Sequence, residues 1–185
     1  MKGKSCCFTG YRPEKFPFSF EKDIGEVNAF ENKLYSTVFS LANEGVTRFY
    51  CGMAEGFDIV SAEVVLDLRE SIKDTIIELI AVIPFKDQSK GFKKSWKERY
   101  NKILEAADRV VVLSDKYFTG CFAKRNCYMV DNSDMVVTYF DGKAGGTGST
   151  LNYAKKLGKG IINVAEYGVG EYFPEEHTYF IEIKK

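Results

Sequence analysis

Histidine and paired cysteine motifs are scarce in this chain of 185 residues. The sole histidine is His177, and Cys121 and Cys127 are too far apart to form the Cys-x-x-Cys pair that is typical of zinc sites. The sequence also lacks a Gly-x-Ser-x-Gly segment, which argues against a Ser/His/Asp hydrolase. We therefore expect no metal centre and no triad chemistry.

Long apolar runs and an excess of one charge are also missing. No run approaches the roughly 18–20 residues that a membrane-spanning helix needs, and the segment from Met1 to Cys7 lacks the apolar core of a signal peptide. Basic and acidic residues number 26 each. This balance rules out a basic field over the whole surface, although it allows a local basic patch. We expect a cytoplasmic protein with reduced, mostly buried cysteines that binds no membrane, and for which nucleic acid is a disfavoured partner.

Hydrophobic residues make up 45% of the chain and aromatic residues 15%, enough for the core of one domain. Apolar runs of strand length alternate with amphipathic stretches of helix length, which predicts an α/β fold with a parallel sheet. The predicted strands are Ser5–Thr9, Val46–Cys51, Ile76–Pro84, Arg109–Ser114, Met135–Phe140 and Gly160–Val164. The predicted helices are Glu26–Asn43, Asp58–Lys73, Lys93–Ala107, Cys121–Asn132 and Ser149–Leu157.

The continuous apolar run Val110–Leu113 predicts that the fourth strand is buried on both faces. No repeat, low-complexity tract or linker divides the chain, so residues 1–185 are predicted to form a single domain. Residues 166–185 depart from the alternation and are predicted to form a packed tail or an edge strand.

Ligands of open parallel sheets bind beyond the carboxyl ends of the strands, so the loops that follow strands are candidate sites. In the first loop, Gly10 allows a tight turn and the close approach of a ligand, and Arg12 offers five donors to a phosphate or carboxylate. The alternative is an ordinary turn with a surface charge.

The second loop carries Gly52, Glu55 and Gly56 and leads into a helix whose first turn contains Asp58. This carboxylate suits either a helix cap or a ligand contact. If Asp58 is a cap, Glu55 or Glu63 would meet the ligand in its place.

The third candidate loop is the glycine-rich segment 141–150, which opens the last predicted helix. Backbone amides and hydroxyls can converge there on an anion at the amino terminus of the helix. The loop matches neither the Walker A motif nor the dinucleotide fingerprint. It therefore predicts phosphate binding without a standard motif, with a passive flexible turn as the alternative.

The fourth loop follows the strand that begins at Arg109 and leads to Arg125 and Asn126. Tyr117 and Phe118 could stack on a base, and Ser114 could bond a ribose or phosphate; the alternative places the aromatic residues in the core or a lid. The four lysines of Lys90–Lys97 surround Trp96. This stretch resembles a nucleic-acid patch but is better explained as a solvated face with one buried aromatic residue.

These loops together resemble those of the bacterial YpsA-like family of the SLOG superfamily, which also contains the DNA-processing protein DprA and the LOG cytokinin-activating enzymes. The resemblance runs in matching order from about Cys6 to Ile162 and is carried by Cys7–Pro13, Gly52–Asp58, Leu113–Cys121, Arg125–Asp131 and Gly145–Ala154. It implies a single Rossmann-like, three-layer domain with a mostly parallel sheet of about six strands flanked by helices.

The resemblance also implies a nucleotide or nucleotide-derived ligand, of which NAD and ADP-ribose are examples. It implies a link to cell division, with a cell-division protein as partner, and homo-oligomerisation. The loops and the resemblance together single out as ligand-binding residues Gly10, Tyr11, Arg12, Gly52, Glu55, Gly56, Asp58, Ser114, Tyr117, Arg125, Asn126, Gly145, Gly146 and Thr147.

Two of the departures from the related patterns bear on the chemistry. Tyr11 stands where the YpsA-like family commonly has histidine, and Asn152 stands where the LOG enzymes have a glutamate in the phosphate loop. An amide can neither move a proton nor stabilise an oxocarbenium-like charge. Hydrolysis of the LOG type would therefore need Asp58 or Glu63 as its acid.

Three functions follow in order of preference. The first is a nucleotide-binding sensor with phosphate on residues 145–149 and the base near Tyr11 or Tyr117. The second is a nucleotide-processing enzyme that uses Asp58 or Glu63. The third is single-stranded DNA binding through Lys93, Lys94 and Lys97, as in DprA.

Overall fold

The computed structural model describes residues 4–72 and 75–165, which form a layered α/β domain. Its strands are β1 (Lys4–Thr9), β2 (Val46–Cys51), β3 (Glu78–Ile83), β4 (Arg109–Val112), β5 (Met135–Thr138) and β6 (Gly160–Asn163). Its helices are α1 (Ile24–Asn43), α2 (Phe57–Ser71), α3 (Lys94–Ala106), α4 (Cys121–Asp131) and α5 (Gly146–Lys156). Short 3-10 turns at Pro13–Lys15 and Gln88–Gly91 complete the regular structure of the described residues.

The strands pair side by side in the order β4-β3-β2-β1-β5-β6, and every pair between described strands is parallel. The alternation of apolar runs and amphipathic stretches therefore predicted the fold class and the six strands of the described residues. The tail at residues 166–185 and the end of the second predicted helix at Lys73 lie outside the described residues. Within the described ranges, no helix has the length and apolar character needed to span a membrane.

Two apolar cores lie on opposite faces of the sheet. The larger core packs α1, α2 and α3 against one face, and the smaller core packs α4 and α5 against the other. Cys6 faces the larger core and Cys7 the smaller, because successive side chains of a strand point to opposite faces. All five cysteines are free, and burial raises the pKa of Cys7 to about 12.

The expectation that β4 is buried on both faces is wrong. Val110 and Val112 are 45% and 43% exposed. Their register partners, Ala81 and Ile83 of β3, belong to the larger core, but β4 lies at the edge of the sheet beyond that core. A continuous apolar run is typical of a central strand, whereas the position of a strand in the sheet depends on the whole topology.

The strand order reverses between β1 and β5. The chain builds β2, β3 and β4 outward from one side of β1 and then returns to place β5 and β6 on the other side. At this point Thr9 pairs with Thr138, and the loops that follow both strands diverge from neighbouring positions. Such a reversal opens a crevice at the carboxyl ends of the strands.

Candidate functional site

A cavity of about 550 Å³ lies at this reversal, between the loop after β1 and the loop after β5. We call it the crevice cavity. Its aromatic and charged lining residues are three aromatic residues, two lysines and two acids: Tyr11, Phe16, Tyr139, Lys15, Lys143, Glu14 and Asp141. The cavity thus combines ring surfaces with both signs of charge.

The amino terminus of α5 lies beside the loop after β1. Helix α5 begins at Gly146, and the hydroxyl of Thr147 donates to the carbonyl oxygen of Gly10 at 3.1 Å. The first N–H groups of a helix have no partner within the helix and favour anions. A Cβ built on Gly146 would meet no heavy atom within 4 Å, so open space faces this position.

Lys15 lies next to the same helix terminus, and the sequence analysis missed it. A Cβ on Gly145 would come 3.3 Å from Lys15 Nζ, and Nζ also lies 5.8 Å from the centroid of the Tyr11 ring. The 3-10 turn Pro13–Lys15 brings the lysine there. Pro13 was the sequence signal for this turn, because proline favours the first position of a helical turn.

Tyr11, Asp141 and Lys143 form a polar cluster in the crevice cavity. The hydroxyl of Tyr11 donates to Asp141 Oδ1, and Lys143 Nζ lies 2.6 Å from Asp141 Oδ2. The hydrogen bond from Lys143, followed by that from Tyr11, lowers the pKa of Asp141 to about 2. Burial, with a further contribution from Asp141, raises the pKa of Tyr11. At neutral pH the cluster therefore holds a charged carboxylate beside a neutral phenol.

Arg12 and Glu55 pair with each other on the side of the first loop that faces α2 and α3. Arg12 Nη1 lies 3.6 Å from Glu55 Oε2, and the guanidinium lies 5.8 Å from the centroid of the Phe92 ring. Glu55 Oε1 also accepts the N–H of Lys93 at 2.9 Å. Arg12, a predicted donor to phosphate, thus turns toward α2 and α3, and it is Lys15 that lies beside the terminus of α5.

A buried ion pair joins α2 to α4. Asp58 Oδ2 accepts the N–H of Ala54 and a hydrogen bond from Arg125 Nη1, each at 3.2 Å. Gly52 packs directly against this ion pair, since a Cβ there would come 1.4 Å from Arg125 Nη1. Burial raises the pKa of Asp58, and the charge of Arg125 opposes that shift. Among the described residues, Arg125 Nε has no hydrogen-bond partner.

Two further glycines allow the first loop to approach α2 closely. A Cβ on Gly10 would lie 2.3 Å from the Phe57 ring, and one on Gly56 would lie 2.6 Å from the carbonyl oxygen of Tyr11. The N–H of Phe57 in turn donates to that carbonyl at 3.0 Å. Packing thus accounts for both glycines, and their contact with a ligand stays a prediction.

The predicted residues of the fourth loop lie away from the crevice cavity. Ser114 Oγ donates to the carbonyl of Lys116 at 2.8 Å, and Tyr117 packs edge-on against Phe85. Both follow β4, which β2 and β3 separate from β1. Asn126 Nδ2 donates to Thr150 Oγ1 at 2.8 Å and so connects α4 to α5.

The structure does not bring Glu63 into any of these clusters. Its two carboxylate oxygens accept hydrogen bonds from Nε and Nη2 of Arg99, the first at 2.7 Å, on the side of α2 that faces α3. Within the described ranges, no group of three His, Cys, Asp or Glu residues could hold a metal ion.

The Lys90–Lys97 stretch is the solvated face that the sequence predicted. Trp96 is buried, with the guanidinium of Arg99 4.3 Å from its ring centroid. Lys93 and Lys94 form exposed ion pairs with Glu21 and Glu98.

A second cavity of about 350 Å³ lies on the other side of the segment 142–145. Lys143 and Ala144 line both cavities. Thr138, Ser149, Asn152 and Lys155 contribute polar groups to the second one. Gly145, Gly148 and Ser149 at the amino-terminal end of α5 line this second cavity, whereas the lining of the crevice cavity reaches no further along this segment than Ala144.

The sequence of the chain places it in a known family. The model of the YspA SLOG family matches residues 6–160. The chain belongs to this family. It is 34% identical over 139 residues to an uncharacterised SPbeta prophage-derived protein, YoqJ of Bacillus subtilis, covering 68% of this chain and 80% of YoqJ. It is 24% identical over 140 residues to the UPF0398 protein YpsA of the same organism, covering 75% of this chain and 76% of YpsA.

Solved structures of DNA processing protein A share the fold. The protein from Helicobacter pylori, described for its single-stranded DNA binding mode, superposes with a TM-score of 0.58 at 20% identity, over 86% of this chain and 64% of that one. DprA from Streptococcus pneumoniae superposes with a TM-score of 0.59 at 17% identity, over 86% of this chain and 50% of that one. This SLOG chain thus spans two thirds or less of those proteins, and the likeness concerns the Rossmann-like fold.

Proposed function

We propose that this SLOG protein binds a nucleotide or a nucleotide-derived ligand in the crevice cavity, with a phosphate at the amino terminus of α5. One observation carries the proposal: Lys15 and the first turn of α5 meet at the point where the strand order reverses. Helix N–H groups and a lysine ammonium both favour a phosphate group.

The rest of the crevice cavity suits a nucleoside. The rings of Phe16 and Tyr139 lie 4.4 Å apart between centroids, and Tyr11 packs against both of them. These rings belong to the larger core and are at most 8% exposed, so they give the cavity an apolar wall, and we propose that the base packs against it. The charged carboxylate of Asp141 is an acceptor for ribose hydroxyls, a role that acidic residues have in other doubly wound folds.

The two cavities favour a ligand with two halves. A pyrophosphate at the terminus of α5 would place one half in the crevice cavity and the other beside Asn152 and Lys155. NAD and ADP-ribose have this form, which makes them the first ligands to test.

Binding without turnover is the better-supported function. Asp58 is buried and paired with Arg125, and Glu63 is held by Arg99, so neither candidate acid faces the crevice cavity. A protein of this kind acts as a sensor, and the family resemblance makes a cell-division protein the proposed recipient of its signal.

A thermal-shift panel of AMP, ADP, NAD, ADP-ribose and cyclic dinucleotides tests the proposal. A ligand that binds only the native state at a hundredfold excess over its dissociation constant adds about 2.7 kcal/mol of stability. We expect at least one such shift, we expect Lys15→Ala to reduce it, and we expect chromatography to recover the ligand intact. A cleaved ligand would support the enzyme, and a panel without any shift would contradict the proposal.

A further inference from the structure

Four aromatic residues, three exposed and one half-buried, lie at the carboxyl ends of β3 and β4, separate from both cavities. We call this group the aromatic patch; its members are Phe85, Tyr117, Phe118 and Phe122. Tyr117 is 62% exposed, Phe118 39% and Phe122 37%. Single exposed apolar residues are ordinary on a protein surface, but a contiguous group of them marks an interaction site.

Ring contacts join three of the four members of the patch. Phe85 lies at the centre, with centroid distances of 5.6 Å to Tyr117 and 5.9 Å to Phe122, and both contacts are edge-to-face. Tyr117 and Phe122 are themselves 6.5 Å apart. These contacts restrict the Tyr117 side chain while most of its surface stays exposed. Stacking of a partner on this ring therefore costs little conformational entropy.

Lysines are interleaved with these rings. Lys124 Nζ lies 5.7 Å from the centroid of Phe118, and Lys116 precedes Tyr117 in the chain. Lys86 follows Phe85 and lies 2.5 Å from Asp115 Oδ1, which ties the loop after β3 to the loop after β4. Three lysines and one aspartate leave the patch with a local positive charge in a chain that is neutral as a whole.

We propose that the aromatic patch binds single-stranded nucleic acid, with bases stacked on Tyr117 and Phe118 and phosphates near Lys116 and Lys124. Exposed rings interleaved with cations are what unpaired strands require, because every base has a stacking face and every nucleotide carries a charge. An apolar protein segment would satisfy the rings and leave the lysines unmatched. This function goes beyond the nucleotide site and does not depend on it.

Fluorescence anisotropy of the full chain with labelled oligo-dT and oligo-rU of about 16 nucleotides, the upper range of single binding sites, tests the proposal. We expect binding at low salt that weakens as salt rises. Tyr117→Ala combined with Phe118→Ala should weaken it about tenfold or more, the loss expected from one or two unstacked bases. Lys124→Ala should weaken binding and flatten its dependence on salt. Binding of oligo-dT alone would identify DNA as the ligand. Binding of both oligonucleotides would show that the patch recognises the bases and phosphates common to DNA and RNA.

Phe39→Ala is the matched control, because Phe39 is an exposed aromatic residue on α1, 42% accessible and far from the patch in sequence. We expect it to bind as the parent chain does. If neither oligonucleotide binds at low salt, the proposal is overturned and a protein is the better partner for the patch. Equal losses of affinity in the Phe39 variant and the Tyr117/Phe118 variant would overturn it as well. Nucleotide-induced thermal shifts should be unchanged in the Tyr117/Phe118 variant, so the two proposals fail separately.

Discussion

Asp58 of α2 and Arg125 of α4 form an ion pair across the carboxyl end of β2, with 3.2 Å between Oδ2 and Nη1 and only 6% of each side chain exposed. Sequence analysis placed both residues in a ligand site. In the structure they hold two helices against the loop after β2. This arrangement gives the pair a structural role.

Replacing Arg125 with methionine should destabilise the fold severely. The substitution leaves the carboxylate of Asp58 buried without its cation, and breaking a buried pair in this way costs about 3–5 kcal/mol. Combining it with Asp58→Asn should restore part of the loss, because no buried charge then lacks a partner. Urea unfolding of the variants measures both effects.

The matched control is Lys94→Met, which removes one partner of an exposed ion pair within α3. We expect a change of less than about 1 kcal/mol, the usual limit for surface pairs. Equal effects of the Arg125 and Lys94 substitutions would show that the buried pair does not contribute as described.

Gly10→Ala should destabilise the protein through crowding. The added methyl would lie 2.3 Å from the Phe57 ring, and overpacking of this kind costs about 1–3 kcal/mol. Gly91→Ala is the control, because a Cβ there meets nothing within 4 Å. Thermal unfolding of both variants should show a lower midpoint for the first alone. A Gly10 variant as stable as the parent would mean that the first loop can move away from α2.

The Asp141 carboxyl should titrate far below its ordinary range. Its pKa is held at about 2 by Lys143 and Tyr11. Because the pKa is depressed in the folded state, the stabilisation is fully present above the ordinary pKa of about 3.9 and is lost as the pH falls toward 2. NMR titration should place the midpoint near 2 in the parent chain.

Tyr11→Phe should raise that midpoint, and Lys143→Met should raise it further, since the hydrogen bond from Lys143 is the larger cause of the shift. A midpoint that stayed the same in both variants would disprove the cluster as a cause of the low pKa.

The sequence predicted the strands and the loops that follow them, because hydrophobic periodicity is a local property. It did not predict that β4 is exposed at the edge of the sheet. Whether helices cover a strand depends on its place in the assembled sheet, which a local pattern does not give. It offered Arg12 as a donor to phosphate, with an ordinary surface charge as the alternative, and it missed Lys15. Both lie in one short segment after β1, and only the 3-10 turn Pro13–Lys15 decides which of them reaches α5.

The central claim is that a nucleotide-derived ligand sits against the first turn of α5. Gly146→Val tests it directly, because a Cβ there meets no heavy atom within 4 Å and the valine side chain would extend into the space proposed for the ligand. Gly25→Val in the first turn of α1 is the control, since a Cβ there also meets nothing within 4 Å.

The decisive measurement is isothermal titration calorimetry of both variants with the nucleotide that gives the largest thermal shift. We predict that Gly146→Val lowers the affinity at least tenfold and that Gly25→Val binds as tightly as the parent chain. Equal affinity in all three proteins would contradict the placement of the ligand at α5.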